Sequence, residues 1–166
     1  MDQDVSTLMA ALGSPQETAR ADAAERLSQL DPAQMRGAAL VLVEACGDES
    51  EAVREAAVGA LEEMGPPDSE TLDGLTALLA DPCADVAYWS ATLIGRLGSD
   101  GVAAVPALIG ALENSPHQNV RQRAARALGK IGPGAVAAKD ALQRAAEGDD
   151  PRLARLAERA LGMILS

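Results

Sequence analysis

Phenylalanine is absent from this chain, and tryptophan and tyrosine occur once each. Runs of β-branched and aromatic residues of the strand type are missing too, which argues for an all-α fold. Its core must be assembled from small aliphatic side chains, chiefly Ala and Leu, which let helices approach closely. The single histidine, His117, falls in the 114–119 linker, where exposure is expected. No motif supplies it with an orienting carboxylate and a nucleophile, so no histidine-based catalytic centre is indicated. Two cysteines, Cys46 and Cys83, make neither a disulfide framework nor a metal-ligand spacing. They are expected as structural thiols, similarly placed in adjacent segments of the chain, in a reducing cytoplasm. The glycines form no phosphate-cradling loop. No apolar stretch approaches the ~18 residues of a membrane span. The start, Met1-Asp2-Gln3-Asp4, has no basic segment followed by an apolar one, so no secretory leader is expected. Positive charge is scarce, with 14 basic against 25 acidic side chains and a net charge of −11. That balance disfavours non-specific binding to DNA or to anionic membranes.

What the chain does have is repetition. With Val53 as anchor, equivalents return every 33 or 34 residues at Ala19, Val86, Val120 and Leu153. Four positions on stand Ala23, Ala57, Ser90, Ala124 and Ala157; eight on stand Leu27, Leu61, Ile94, Leu128 and Leu161. Eleven on stand Leu30, Met64, Leu97, Ile131 and Ile164. A period of this length denotes stacked helical hairpins, each burying its apolar face against its neighbours. The anchored helix, B, carries an apolar stripe at offsets 0, 4, 7, 8 and 11. Gly65, Gly98 and Gly132 stand where a left-handed C-terminal glycine is expected. Ser14-Pro15, Asp81-Pro82 and Ser115-Pro116 are expected to cap the starts of B helices, with Asp48 equivalent in the second repeat. A shorter helix, A, precedes each B. Leu8, Leu42, Leu75, Ile109 and Leu142 hold its equivalent core position, and Pro106 suits a first turn. Five repeats result, at approximately 5–31, 33–65, 69–98, 102–132 and 136–165, in a single domain of residues 1–166.

The segments DESEAVREAAVGALEEMG (48–65) and SPHQNVRQRAARALGKIG (115–132) resemble HEAT repeats, and more closely the short HEAT-like subtype named after phycobilisome lyases. The resemblance runs from about Val5 to Leu165. It implies a right-handed α-solenoid of about five helical hairpins. It also implies an Asp and an Arg six residues later that link neighbouring repeats. Asp48 and Arg54 match that pattern; Arg20 and Arg121 keep the Arg beside Ser14 and Ser115; the third repeat keeps Asp81 but has Ala87. In the resemblance, the outward face of B lines the concave binding surface.

Charge is unevenly divided along the chain. Residues 1–85 hold 18 acidic and 4 basic side chains, residues 86–166 hold 7 acidic and 10 basic. On the B face, at offsets 2, 3, 6, 9 and 10, repeats one and two place Asp22, Glu25, Glu55, Glu62 and Glu63. Repeat three places Tyr88, Trp89, Thr92 and Arg96; repeat four Gln122, Arg123, Arg126 and Lys130; repeat five Arg155 and Arg159. Tyr, Trp and Arg are enriched at binding hot spots, and arginine grips carboxylates and phosphates with two prongs. The candidate partner-binding residues are therefore Tyr88, Trp89, Arg96, Arg123, Arg126, Lys130, Arg155 and Arg159. No catalytic, metal or cofactor constellation is visible, and acid pairs such as Glu62-Glu63 and Asp149-Asp150 read as solvated turns. Leu156 and Met163 are apolar where the other repeats are polar or aromatic, which suggests a sticky terminal face.

The expected function is that of a non-catalytic scaffold or adaptor, binding a protein or peptide with an acidic or phosphorylated segment. Head-to-tail self-association, acidic half to basic half, is a variant. The alternatives are a nucleic-acid-binding HEAT-like protein, which the overall acidity disfavours, or a subunit of a bilin-lyase-like enzyme.

Overall fold

The structure, a computed structural model, describes residues 4–166. Met1, Asp2 and Gln3, on which the reading of the N-terminus partly rests, lie outside the described residues. All regular structure among the described residues is helical. It falls in two compact units, Met1–Thr71 and Leu72–Ser166.

The first unit holds two hairpins. In hairpin 1, α1 (Val5–Ala11) packs on α2 (Glu17–Ser28). In hairpin 2, the short α3 (Pro32–Met35) and a 3-10 turn lead into α4 (Ala39–Ala45), which packs on α5 (Glu51–Glu63). The two B helices, α2 and α5, lie against each other. Leu8, Leu27, Met35, Leu42, Val53 and Leu61 are buried between these layers. Between the hairpins, Arg20 forms a two-pronged ion pair with Asp48, Nε to Oδ2 at 2.8 Å and an Nη to Oδ1 at 3.0 Å. The other Nη of Arg20 donates to the Ser14 carbonyl at 3.1 Å. Ser50 donates from its hydroxyl to Glu17 at 2.7 Å across the same seam. The inter-repeat link implied by the family resemblance is thus made by Arg20 reaching forward to Asp48. Arg54 turns back on its own repeat, to the carbonyls of Asp48 and Glu49 at 2.7 and 3.0 Å.

The second unit holds three hairpins: α6 (Leu72–Leu78) with α7 (Ala84–Arg96), α8 (Val105–Asn114) with α9 (Gln118–Ile131), and α10 (Lys139–Ala146) with α11 (Pro151–Ile164). The B helices pack in series, α7 on α9 and α9 on α11. Small residues set the spacing. A Cβ added at Gly95 would stand 3.1 Å from the Ala127 Cα, and one at Gly129 would stand 3.0 Å from the Ala160 Cα. Glycine at offset 9 of one B helix therefore receives alanine at offset 7 of the next.

Several expectations need correction. Ser14, Asp48, Asp81 and Ser115 do not cap their helices. Each instead accepts the N–H two residues on, from Gln16, Ser50, Cys83 and His117 at 3.2, 2.8, 2.8 and 3.3 Å. Those four residues are the N-caps, so the Ser/Asp-Pro pairs shape a side-chain turn and the helix starts later. Asp150, expected as a solvated turn residue, is instead a true cap with Pro151 at the first position; it accepts from the N–H groups of Arg152 and Leu153 at 3.0 and 3.1 Å. In hairpin 4 the buried A-helix leucine is Leu108, not the half-buried Ile109. The extra residue of the 34-residue spacing therefore lies in the turn after α8. Gly98 and Gly132 have positive φ, 57° and 77°, but Gly65 does not, because α5 ends in an extended Met64. Cys46 is a buried cysteine whose Sγ donates to the Leu42 carbonyl at 3.5 Å, whereas Cys83 is only half-buried.

A candidate anion-binding face on the second unit

Viewed along α7, α9 and α11, the stripe beside the core carries the predicted residues, with one exception in kind. Trp89 is 8% exposed, and Thr92 is buried as well. The indole is thus a structural element beneath the face, where an exposed contact was expected. Nearly the whole circumference of α7 is buried, so its offsets 3 and 6 have no solvent side. Tyr88 stands edge-on to Trp89, with centroids 5.6 Å apart and planes at 84°. The Arg96 guanidinium lies 5.8 Å from the Trp89 ring, and that of Arg123 lies 4.3 Å from the Tyr88 ring. Arg123 also donates to the Tyr88 hydroxyl. An aromatic pair on α7 thus orients cations from its own helix and from the next one.

Two adjoining hollows open on this face. One, of about 270 Å³, is lined by Tyr88, Asn119, Gln122, Arg123, Arg126, Arg152 and Leu156. The other, of about 80 Å³, shares Arg126 and Leu156 and is closed by Gly129, Lys130, Arg159, Ala160 and Met163. Of the predicted set, Tyr88, Arg123 and Arg126 therefore come together in the first hollow, and Arg126, Lys130 and Arg159 in the second. Arg155 is exposed and lines neither. Asn119 and Arg152 had not been placed at the site. Both sit one position before their repeat's anchor, one turn upstream of offset 3. Continuing the 3-4 spacing of the face back by a turn would have found them. Leu156, expected as a sticky terminal residue, is the wall between the hollows.

The cations of this face press on one another. Partial desolvation, and then the guanidiniums of Arg126, Arg96 and Arg123, hold the Lys130 ammonium below its usual lysine value. Desolvation and Arg123 act likewise on Arg96. The ion pairs found among the described residues are Arg20 with Asp48 and Glu49, Arg26 with Asp22, and Arg144 with Glu113. None engages Arg123, Arg126, Lys130, Arg152 or Arg159. Asp150 is bonded beside the cluster but is committed elsewhere. Its Oδ2 accepts from the Gln122 amide at 2.9 Å, and its Oδ1 serves the α11 cap. Hydrogen bonds from Gln122 and Gln118, and then from the Leu153 and Arg152 amides, hold its carboxyl well below the usual carboxylate range. Asp150 thereby fixes Gln122 at the rim and ties hairpin 4 to hairpin 5.

His117 serves structure in the same way. As the N-cap residue of α9, its Nε2 lies 3.2 Å from the Pro82 carbonyl of the preceding hairpin. Behind the B helices, a third hollow of about 510 Å³ lies between hairpins 3 and 4, floored by Leu79, Ala107, Gly110 and Ala111. No cluster of three or more metal-ligating side chains occurs among the described residues. No helix among them is long and apolar enough to cross a membrane.

The profile of HEAT repeats matches residues 5–86 and 72–162, so the chain belongs to the HEAT-repeat family. No curated protein matches it. Among solved structures, an engineered protein is 22% identical, with 98% of this chain and 81% of that chain covered and a TM-score of 0.69. The complex of CpcE and CpcF of phycocyanin lyase from a Nostoc species is 24% identical, over 99% of this chain and 66% of that one, with a TM-score of 0.67. A designed armadillo repeat protein in complex with the peptide (KR)4 is 20% identical, over 96% of this chain and 81% of that one, at a TM-score of 0.64. The fold is therefore that of the HEAT and armadillo repeat solenoids.

Proposed function

We propose that this protein is a non-catalytic interaction module whose second unit binds an anionic segment of a partner protein. The observation that carries this reading is the convergence of Arg123, Arg126 and Arg152 with Tyr88 on one hollow, where no carboxylate among the described residues forms an ion pair with them. Arg123 is half-buried and Arg126 and Arg152 are exposed, so their guanidiniums are open to a ligand, and arginine binds anions through two-pronged hydrogen bonds. The fold adds plausibility, since the designed armadillo protein of similar fold was solved with a peptide bound. That peptide is built of Lys and Arg, whereas the lining here suits the opposite charge. Nucleic acid is a poorer fit for a chain of net charge −11, in which the clustered cations occupy one face of one unit. The likeness to the lyase pair is one of fold and brings no chromophore to this chain.

The test is binding of a fluorescent Asp/Glu-rich peptide by anisotropy. Replacing Arg126 and Arg152 together with Glu should abolish binding while helical circular dichroism is kept. Arg155→Glu, outside both hollows, should cost little. Equal binding by all three proteins would dismiss the face.

Self-association is a second reading, favoured by the exposure of Asp22, Glu25, Glu55, Glu62 and Glu63 on the B helices of the first unit. It requires sedimentation velocity to reveal assemblies that dissolve as salt is raised. A monomer at all concentrations and low salt would exclude it.

A further inference from the structure

The two adjoining hollows are chemically unlike, and their pairing narrows the ligand further. The larger presents three guanidiniums, a phenol hydroxyl and two carboxamides around about 270 Å³. A single carboxylate is satisfied by one two-pronged arginine. Three arginines exceed what it can use. A phosphate monoester carries a charge near −2 and three strong acceptor oxygens, which matches that donor set. The carboxylate bonded at the rim, Asp150, keeps its charge but forms no ion pair with the arginines, its oxygens accepting from Gln122 and from the Arg152 and Leu153 amides, and one charge offsets only part of three guanidiniums.

The smaller hollow adds a different demand. Its apolar walls are Leu156, Ala160, the close-packed Gly129 and Met163, which stays 40% exposed, and Arg126, Lys130 and Arg159 complete the lining. Arg126 and Leu156 belong to both hollows, so a ligand in one touches the wall of the other. An isolated phosphate ion would leave the Leu156, Ala160 and Met163 walls of this cleft unused. A nucleic acid would need further phosphate contacts along a basic track, whereas the cations here are gathered at one point. A peptide uses both hollows, with a charged side chain in one and an aliphatic side chain in the other.

Resting on the anionic-partner reading above, we infer that this face recognises a phosphoserine or phosphothreonine of a partner protein, with an aliphatic side chain of the same segment seated between Leu156 and Met163. Arg126 and Arg152 clasp the phosphate, Arg123 is aimed by its contact with Tyr88, and Gln122 is held in place by Asp150.

The test uses the full chain, immobilised, and three degenerate peptide pools that differ only in the central residue: phosphoserine, glutamate or serine. Retained peptides are read by mass spectrometry. Phosphoserine peptides should be retained about tenfold or more over both others, the size of a lost charge-assisted hydrogen bond, and enriched in Leu, Ile, Val or Met at one flanking position. Arg152→Gln should erase the phosphoserine preference, with Arg126→Gln as a second probe and folding checked by circular dichroism. Leu156→Gln should keep the phosphate preference and lose the aliphatic one. Equal retention of phosphoserine and glutamate pools, lost in Arg152→Gln, would overturn the phosphate inference and leave the acidic-partner reading standing. Retention of neither pool would overturn both. Inorganic phosphate binding as tightly as the peptides, or a single-stranded oligonucleotide binding more tightly, would also overturn it.

Discussion

Ser90 stands in the third repeat where the other four have alanine, and its hydroxyl is fully buried with no hydrogen-bond partner. Burying an unpaired hydroxyl costs about 1–3 kcal/mol, so Ser90→Ala should stabilise the protein by about 1 kcal/mol in urea unfolding. Asp48 is the opposite case of a polar side chain fully used. The Arg20 hydrogen bonds, and then the Ser50 N–H, hold its carboxyl below the usual aspartate value. A carboxyl depressed on folding contributes stability above its unfolded value, about 3.9, and that contribution fades as pH falls through the folded one. Asp48→Asn should therefore lower the melting temperature at neutral pH and flatten its decline below about pH 4. A mutant curve parallel to wild type would show that Asp48 is not the group responsible. Both residues were visible in the repeat register. Which of them was satisfied depended on the seam between hairpins, and that seam is set by three-dimensional packing.

Helices were legible where the apolar stripe is strong, since their core faces follow the offsets from Val53 closely. Their ends were less legible. Ser-Pro and Asp-Pro pairs look alike whether the polar residue caps the helix or builds the turn before it. Among the B helices, only the Asp150 pair caps through its side chain, because in hairpin 5 the helix begins immediately after it. The displacement from Ile109 to Leu108 has a similar origin: a one-residue insertion in a turn cannot be located from spacing alone. Glycines divide by surroundings that the sequence does not display. Gly129→Ala would drive a methyl into the Ala160 backbone of α11 and should cost about 1–3 kcal/mol. Gly65→Ala meets nothing within 4 Å and has no positive φ, so it should gain about 0.4–1 kcal/mol. Thermal unfolding of the pair separates a close-packed glycine from a spare one.

Across the whole molecule, the charge asymmetry read from sequence coincides with the two units. The first holds 15 acidic and 4 basic residues, the second 10 of each. The basic face was foreseen from helical periodicity. The inward turn of Trp89 was not, because an indole at an outward offset reads as a contact until a neighbour is seen to cover it. The balance of global and local charge has a kinetic signature. At long range the net −11 opposes an anionic ligand, while at contact the arginines hold it. Raising salt screens both, so the association rate should hold or rise and the dissociation rate should climb. Stopped-flow mixing with the peptide that binds would measure both, and an association rate falling steeply with salt would contradict this balance.

The glycine-to-alanine seam also bears on how such a chain can grow. Hairpin 4 is plug and socket at once: its Ala127 fits against Gly95, and its own Gly129 receives Ala160. A duplicate of residues 99–132 spliced in after Gly132 would offer its alanine to the original Gly129 and its glycine to Ala160. Unequal crossing-over within the gene could thus lengthen the array while keeping the glycine–alanine fit at every seam, and each added copy would carry another Arg123, Arg126 and Lys130 onto the same face.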